Sequence, residues 1–262
     1  MDLKLKNKIV LVTGGASGIG EAIVNTFAEE QAIPVILDIN FEKAKQIETE
    51  LKSKNRESLA LEVDLLDDEA CQKAVRTALE KYQRIDSLIN NAGRNDKVAL
   101  GSPVDDFRKS LELNLVQYYS MANACLPSLI QSKGTIVNIS SKVALTGQGG
   151  TSGYAAAKGG VLGLTREWAV QLLKYGIRVN ALLPAEVWTP LYESIISASP
   201  NPQESLQKIK ASIPLGNRLT KPQEIADMVV FLASHRASHI TGQFLFVDGG
   251  YTHLDRAVCS GQ

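Results

Sequence analysis

Short apolar runs rich in β-branched residues alternate with longer segments of helical periodicity along almost the whole chain. The runs cover residues 9–12, 33–37, 58–63, 85–89, 135–139, 177–181 and 243–247. Helical periodicity occupies residues 21–30, 41–52, 68–82, 105–132 and 154–175. A short run that is apolar throughout predicts a strand buried on both faces. The strict alternation of such strands with helices predicts right-handed crossovers and a parallel sheet covered by helices.

The length of 262 residues allows one large domain or two small ones. No linker, low-complexity tract or internal repeat divides the chain, so we expect one domain over residues 1–262. The stretch 184–219, between the sixth and seventh runs, departs from the regular pattern because it is rich in proline. A connection of this length in a compact fold is usually functional, and we predict a substrate lid there.

Charge and cysteine content limit the classes of partner. The chain carries 28 basic and 28 acidic residues and has no basic run, so we expect neither nucleic acid nor membrane partners. Cys71, Cys125 and Cys259 are far apart and odd in number, and His235 and His239 have no accompanying glutamate. Neither a disulfide framework nor a metal site is indicated. With no signal-like apolar run at its start, the chain is expected to be cytoplasmic, with small molecules or its own copies as partners.

A glycine-rich stretch, Thr13-Gly-Gly-Ala-Ser-Gly-Ile-Gly20, follows the first predicted strand and precedes the first predicted helix. Glycines let the backbone approach a pyrophosphate, and the free N–H groups at the helix start stabilise its charge. The alternative is a simple glycine turn. The order of strand, loop and helix favours a phosphate site, at which we place Gly14, Ser17, Gly18, Ile19 and Gly20.

Acidic residues follow the second and third predicted strands. Asp38, twenty residues beyond Gly18, is placed to accept hydrogen bonds from an adenosine ribose. A 2'-phosphate there would meet a negative charge, and residues 16, 17, 39 and 40 include no arginine or lysine, so NAD is the expected cofactor. Alternatively, Asp38 caps the next helix. Asp64 either bonds the adenine amino group or starts a turn.

Tyr154 and Lys158 are four residues apart and share one face of a predicted helix. A free tyrosine keeps its proton up to a pH of about 10, so a neighbouring positive charge must stabilise the phenolate before it accepts a proton near neutrality. The pair alone is a weak signal, because this spacing is common on amphipathic helices. Its surroundings must decide whether it is catalytic.

Six motifs in chain order resemble the short-chain dehydrogenase/reductase family, and the match runs over nearly the whole chain. They are residues 13–20, residues 90–93, Asn114, residues 140–141, Tyr154 with Lys158, and residues 184–189. The resemblance implies an α/β protein with a single-domain Rossmann fold. Its doubly wound, seven-stranded parallel sheet would carry helices on both faces and an active site beyond the carboxyl ends of the strands.

The resemblance also implies catalytic roles. Tyr154 is the expected general base, which takes the hydroxyl proton as hydride leaves for the nicotinamide. Lys158 is expected to lower the pKa of Tyr154 and to bond the nicotinamide ribose. Ser141 is expected to hold the substrate oxygen and stabilise charge on it. Asn114, on the helix after the fourth strand, is expected to anchor a water molecule that links Lys158 to solvent, rather than only to cap or kink that helix.

Further cofactor contacts and the assembly follow from the same resemblance. The remaining implied contacts are Asp64, Leu65, Asn91, Ala92, Gly93, Pro184, Val187 and Thr189, together with Tyr154 and Lys158. The family usually has Pro-Gly after the sixth strand, where this chain has Pro184 and Ala185. This departure affects the shape of the turn, because alanine disfavours positive φ. A homotetramer built partly through the two long predicted helices is also implied.

Two segments expected near the substrate are polar: Glu186, after the sixth predicted strand, and the C-terminal tail. A carboxylate near the reacting carbon suits a substrate with several hydroxyls. Residues 184–192 and 246–256 resemble bacterial sugar dehydrogenases of the L-fucose dehydrogenase type, which implies oxidation of an aldose to its lactone. The predicted substrate contacts are Ser141, Gln148, Tyr154, Glu186 and Trp188. Whether the tail completes its own active site or a neighbour's is left open.

Two alternatives remain beside the sugar dehydrogenase. A steroid, a hydroxy acid or another hydrophobic alcohol would equally suit a pocket lined by Trp188, Tyr192, Ile195 and Ile196. A protein of another class, an NAD-binding regulator without turnover, would keep the nucleotide site. The complete set of catalytic residues argues against the regulator, because binding of NAD does not require a phenolate base.

Overall fold

Seven parallel strands form one sheet in the computed structural model, which describes residues 2–254. The tail residues Arg256 and Cys259 lie outside the described residues. The strands are β1 (Ile9–Thr13), β2 (Ile33–Asp38), β3 (Leu59–Glu62), β4 (Ser87–Asn90), β5 (Thr135–Ile139), β6 (Arg178–Pro184) and β7 (Phe244–Val247). Their order is β3-β2-β1-β4-β5-β6-β7, so the direction of winding reverses between β1 and β4. The predicted doubly wound parallel sheet is confirmed.

Helices connect the strands. They are α1 (Gly18–Glu29), α2 (Phe41–Ser53), α3 (Asp68–Tyr82), α4 (Val104–Leu111), α5 (Gln117–Ser132), α6 (Ser152–Gln171), α7 (Pro190–Ser197), α8 (Pro202–Ala211) and α9 (Pro222–Ala233). The last three are absent from the helices predicted by periodicity. Each begins with a proline in its first turn, where the missing N–H is not needed and the fixed φ suits the helix. Within the described residues, no helix is long and apolar enough to cross a membrane.

Each face of the sheet has its own apolar core. On one face, Phe27 of α1 and Val229 of α9 belong to the same buried cluster. On the other, Val75 of α3, Met121 of α5 and Trp168 of α6 pack together. Removal of a large apolar side chain from water contributes about 1.5–3 kcal/mol. The strands are largely apolar because they supply side chains to both cores, which confirms the prediction of helices on both faces.

The segment 105–132 is helical as predicted, but it is not a regular α-helix throughout. A π-helical turn, Glu112–Val116, separates α4 from α5. Asn114 lies in this turn, fully buried, and its Nδ2 donates to the Ser110 carbonyl at 3.1 Å. That carbonyl is the usual partner of the Asn114 backbone N–H in an α-helix, so the side chain competes with the regular ladder. The interruption places the Asn114 side chain behind the loop that follows β4.

The segment predicted as a lid, 184–219, contains α7 and α8. Its two ends are joined to each other. Val187 forms an isolated parallel bridge with Thr220, whose N–H donates to the Glu186 carbonyl at 2.9 Å and whose carbonyl accepts from Trp188 N–H at 2.9 Å. The segment that contains α7 and α8 therefore begins and ends beside the carboxyl end of β6, where its two ends are hydrogen-bonded to each other.

Candidate active site

A cleft of about 680 Å³ opens beyond the carboxyl ends of the strands. Its position, where the winding of the sheet reverses, is the usual ligand site in open parallel sheets. The structure brings every predicted cofactor residue into the wall of this cleft: Gly14, Ser17, Gly18, Ile19, Gly20, Asp38, Asp64, Leu65, Asn91, Ala92, Gly93, Tyr154, Lys158, Pro184, Val187 and Thr189. Its volume lies within the range of about 300–1,000 Å³ that is typical of ligand sites.

Hydrogen bonds join the glycine loop to the loop after β4. The hydroxyl oxygen of Thr13 accepts from the backbone N–H groups of Asn91 at 2.9 Å and Ala92 at 3.1 Å. In return, Asn91 Nδ2 donates to the carbonyls of Thr13 at 3.0 Å and Gly14 at 3.1 Å. These bonds involve the side chains of both Thr13 and Asn91. They hold the two loops together at the floor of the cleft.

The glycine loop requires glycine for two different reasons. Gly14 has a φ of +61°, which L side chains rarely adopt. A Cβ on Gly20 would lie 1.9 Å from the Gly14 carbonyl oxygen, so the first turn of α1 packs directly on the loop. Ser17, at the N-cap of α1, makes no side-chain capping bond. The helix start therefore presents backbone N–H groups that suit an anionic group in the cleft.

Asp38 lines the cleft with its carboxylate oriented by two backbone groups. Oδ2 accepts from Ala16 N–H and Oδ1 from Asn40 N–H, each at 2.9 Å. Each oxygen retains further acceptor capacity. The N-cap of α2 is Asn40, which accepts from Lys43 N–H, so the alternative that Asp38 caps this helix is excluded. Asp64 accepts from Leu66 N–H at 3.0 Å, and so it both starts a turn and lines the cleft.

Lys158 is 2% exposed, in the wall of the cleft. Its Nζ donates to Tyr118 OH and to the Ile139 carbonyl, both at 2.9 Å, and lies 5.7 Å from the centre of the Tyr154 ring. Burial lowers the pKa of Lys158 to about 7. Loss of hydration thus disfavours the charged form of its amine. Tyr118 was missed in the sequence analysis, although its position four residues after Asn114 is a weak signal.

Burial raises the pKa of Tyr154 to about 12, while a hydrogen bond with Ser141 acts in the opposite direction and the charge of Asp96 adds to the increase. The net shift is opposite to the expected lowering by Lys158. Desolvation of the phenolate dominates because Lys158 is itself desolvated and donates to Tyr118 OH and a carbonyl. Ser141 and Tyr154, the residues predicted to hold and deprotonate a substrate hydroxyl, both line the cleft.

Asn114 bonds backbone groups with both ends of its amide. Oδ1 accepts from Arg94 N–H at 2.9 Å, and Nδ2 donates to the Ser110 carbonyl. A Cβ on Gly93 would lie 2.7 Å from Oδ1, so this close approach requires glycine. Asn114 lies behind the cleft wall, and its water link to Lys158 stays a prediction.

Of the predicted substrate residues, Ser141 and Tyr154 line the cleft, whereas Gln148, Glu186 and Trp188 lie outside the lining. Gln148 is exposed, and Trp188 is 37% exposed. Glu186 forms an ion pair with Lys142 and accepts a hydrogen bond from Tyr192 OH at 2.5 Å. Tyr192, on α7, does line the cleft.

Other lining residues were missed in the sequence analysis, among them Ile39, Leu66, Leu113 and Gln117. They carry no motif, and only folding brings them to the cleft. Ala185 also lines it and adopts no positive φ, so the turn accommodates alanine in place of the usual glycine. Among residues 2–254, no group of three or more metal-ligating side chains occurs.

A family model described as Enoyl-(Acyl carrier protein) reductase matches residues 14–252. The chain belongs to the short-chain dehydrogenase/reductase family. Its curated relatives include the 3-oxoacyl-[acyl-carrier-protein] reductase FabG of Thermotoga maritima, 35% identical, with 95% of this chain and 99% of the relative covered. The L-fucose dehydrogenase of Bos taurus is 36% identical, with 95% of this chain and 91% of the relative covered. The predicted family is confirmed.

Solved structures of other dehydrogenases superpose closely on this family member. The crystal structure of Cj0485 dehydrogenase has 47% identity and a TM-score of 0.93, and 98% of each chain is covered. A 7α-hydroxysteroid dehydrogenase complexed with NADH and 7-oxo glycochenodeoxycholic acid has 31% identity and a TM-score of 0.89, with 95% of this chain and 96% of that chain covered. The relatives thus share the fold and differ in their named substrates.

A nicotinamide dinucleotide fits the cleft of this short-chain dehydrogenase/reductase. The start of α1, with no side-chain cap from Ser17, suits the diphosphate. Asp38 offers carboxylate oxygens at the end of β2, where the adenosine ribose is held in Rossmann folds. Lys158 and Tyr154 line the same cleft. The protein is an oxidoreductase of a family whose Rossmann fold binds nicotinamide cofactors.

Proposed function

We propose that this protein is an NAD-dependent dehydrogenase that oxidises the anomeric hydroxyl of an aldose, such as L-fucose, to its lactone. The presence of Ser141, Tyr154 and Lys158 in the wall of one cleft, with Lys158 Nζ 5.7 Å from the centre of the Tyr154 ring, carries the proposal of dehydrogenase chemistry. Similarity to L-fucose dehydrogenases over most of the chain supports the sugar substrate. We also propose a cytoplasmic homotetramer, and the free, buried Cys71 and Cys125 are compatible with a reducing compartment.

Ser141 and Tyr154 would have different roles in removing the proton from the substrate hydroxyl. Ser141 holds the reacting oxygen through its hydroxyl, and Tyr154 takes the hydroxyl proton. When bound, the oxidised nicotinamide supplies the hydride acceptor and a positive charge, which lowers the pKa of a neighbouring phenol. Lys158 holds Tyr118 and the end of β5 through its two hydrogen bonds, which keeps its ammonium beside Tyr154. Asn114 is the proposed anchor of the route by which the proton leaves.

The role of Tyr154 is tested with Tyr154→Phe. General base catalysis typically contributes about 10²–10⁴-fold, so we expect a fall in kcat of that order. NADH affinity, measured by fluorescence titration, should be unchanged because the phenol is not needed to bind the nucleotide. Tyr175→Phe, in the turn before β6 and at the opposite end of that strand from the cleft, is the matched control. Normal turnover by Tyr154→Phe would contradict the mechanism.

The preference for NAD is attributed to Asp38. Asp38→Ala removes the negative charge that opposes a 2'-phosphate, and we expect the ratio of kcat/KM for NADP to that for NAD to rise about tenfold, a change of about 1.4 kcal/mol. The control is Glu62→Ala, which removes a carboxylate from the position on β3 that pairs with Asp38. An unchanged ratio, or an equal change in both variants, would remove Asp38 from cofactor selection.

The substrate is tested by NADH formation across aldoses, steroids and 3-hydroxy acids. Oxidation of an aldose with the highest kcat/KM supports the proposal, and failure of every aldose overturns it. Turnover of a steroid or a hydroxy acid instead would favour the alternative alcohols, for which the hydroxysteroid dehydrogenase is a structural precedent. NADH binding without turnover of any substrate would favour the regulatory alternative.

A further inference from the structure

Four separate segments of the chain meet beside the cleft in a cluster of Lys142, Glu186, Tyr192 and Tyr251. Lys142 directly follows Ser141, and its side chain is only 7% exposed. Its Nζ pairs with Glu186 Oε1 and lies 3.9 Å from the centre of the Tyr251 ring. Glu186 follows β6 and is 16% exposed. Burial of a lysine is costly without compensation, and the carboxylate and the aromatic ring supply it.

Both oxygens of the Glu186 carboxylate have partners within the protein. Oε1 bonds Lys142, and Oε2 accepts from Tyr192 OH at 2.5 Å. Burial and this hydrogen bond raise the pKa of Tyr192 well above its ordinary value, so the phenol keeps its proton and donates it to Glu186. Glu186 lies outside the cleft lining, whereas Tyr192 is part of it. The charge of Glu186 therefore acts on the cleft through Tyr192.

A phenol has one proton to donate and lone pairs with which to accept. Because the proton of Tyr192 is committed to Glu186, only acceptor capacity remains for a molecule in the cleft. A substrate hydroxyl can donate to it, while a carbonyl oxygen or an apolar group gains nothing. A site that forms a hydrogen bond with a substrate hydroxyl discriminates against analogues without that hydroxyl, because its own polar group is then left without a partner.

We propose that Tyr192 is a specificity-determining residue that accepts a hydrogen bond from a second hydroxyl of the substrate, with Glu186 and Lys142 as its positioning residues. The inference rests on the proposed dehydrogenase function and specifies its substrate class. That class is alcohols with a further hydroxyl close to the reacting carbon, as in aldoses. Steroids and acyl chains with a lone oxygen function fall outside it.

The test compares an aldose that the wild-type protein oxidises with the set of its monodeoxy analogues. Loss of a neutral hydrogen bond typically costs about 0.5–1.5 kcal/mol, so we expect kcat/KM of the wild type to fall about 3- to 10-fold for the analogue that lacks the hydroxyl facing Tyr192. In Tyr192→Phe, the preference at that one position should disappear, while preferences at other positions remain. Tyr175→Phe is the control and should keep every preference.

The positioning role has its own readout. Glu186→Gln should raise KM for the aldose more than it lowers kcat, and it should weaken the same deoxy preference. The double variant Glu186→Gln with Tyr192→Phe should lose no more than Tyr192→Phe alone, because the two residues act through one hydrogen bond. Additive losses would overturn the positioning role. If Glu186→Gln unfolds, combining it with Lys142→Met removes the unpaired buried charge and keeps the test available.

The outcomes separate this inference from the proposed function. If the wild type oxidises aldoses and Tyr192→Phe keeps all of its deoxy preferences, the specificity inference fails and the sugar dehydrogenase stands. If the wild type oxidises lone-hydroxyl steroids and no aldose, both fail. A preference for one hydroxyl that is lost in Tyr192→Phe alone supports both.

Discussion

Tyr154 and Lys158 show how burial changes the acid–base properties of a pair whose spacing is evident in the sequence. The four-residue spacing placed both side chains in the cleft wall, as predicted. Burial then raises the pKa of Tyr154 to about 12 and lowers that of Lys158 to about 7. Both shifts favour the neutral form, because the charged form loses hydration in the interior. Loss of hydration therefore outweighs the attraction between the two side chains in this structure.

Lys158 should make stability depend on pH. Its folded pKa of about 7 lies below its ordinary value of 10.5, so between these pH values the unfolded chain binds a proton that the folded protein lacks. The contribution of this residue to the free energy of unfolding therefore rises as pH increases from 7 to 10.5. Lys158→Met removes this contribution. In urea titrations, we expect the stability of the wild type relative to the variant to increase across that window.

The control for this pH dependence is Lys174→Met, at an exposed position beyond α6. The difference in the free energy of unfolding between Lys174→Met and the wild type should stay nearly constant over the same pH values. A constant difference between the wild type and Lys158→Met would contradict a lowered pKa for Lys158 in the folded protein.

At the scale of elements, the site depends on contacts among the glycine loop, the loop that follows β4 and the π-helical turn. The two loops at the floor of the cleft bond each other through Thr13 and Asn91, and the π-helical turn places Asn114 against Gly93. Strands, the glycine loop and the five predicted helical segments were evident from local patterns. The π-helical turn was not, because it results from a competition between the Asn114 side chain and the backbone that periodicity does not reveal.

Thr13 should be important for holding the glycine loop against the loop that follows β4. Thr13→Val keeps the shape of the side chain and leaves the backbone N–H groups of Asn91 and Ala92 without their partner. Because an unsatisfied buried donor costs about 1–3 kcal/mol, we expect a loss of at least about 2 kcal/mol in the free energy of unfolding, together with weaker NADH binding. Urea unfolding and fluorescence titration measure the two effects.

Thr49→Val is the matched control for this substitution, since the Thr49 hydroxyl is exposed on α2 and bonds only the Lys45 carbonyl of its own helix. It should change stability by much less than Thr13→Val and leave NADH affinity unaltered. Equal effects of the two substitutions would show that the joining of the loops is unimportant.

At the scale of the whole molecule, the reversal of winding between β1 and β4 creates a cleft to which both halves of the sheet contribute. Asp38 comes from one half and Tyr154 and Lys158 from the other. On the outside, Tyr119 on α5, Val170 on α6 and Leu173 just beyond α6 are all more than half exposed. Exposed apolar side chains on these two helices support the proposed homotetramer built through them.

Val170→Lys tests this assembly. The 69% exposed side chain contributes little to the fold of one subunit, whereas a buried lysine would disfavour an interface. We expect sedimentation velocity to show a tetramer for the wild type and smaller species for the variant. Leu100→Lys, at a 97% exposed loop position, should remain tetrameric. A wild-type monomer, or a tetramer unaffected by Val170→Lys, would contradict an interface at this position.

The sequence by itself determined the parallel sheet and the glycine loop, because buried strands and glycine turns leave local patterns. The family resemblance implied most of the other residues that line the cleft. Only the tertiary structure decided which polar side chains meet. Glu186, predicted as a substrate contact, pairs with Lys142, 44 residues away, and acts through Tyr192. Those partners come from the ends of different strands and from α7. Their contact depends on how these ends converge in three dimensions, which no periodicity within one segment encodes.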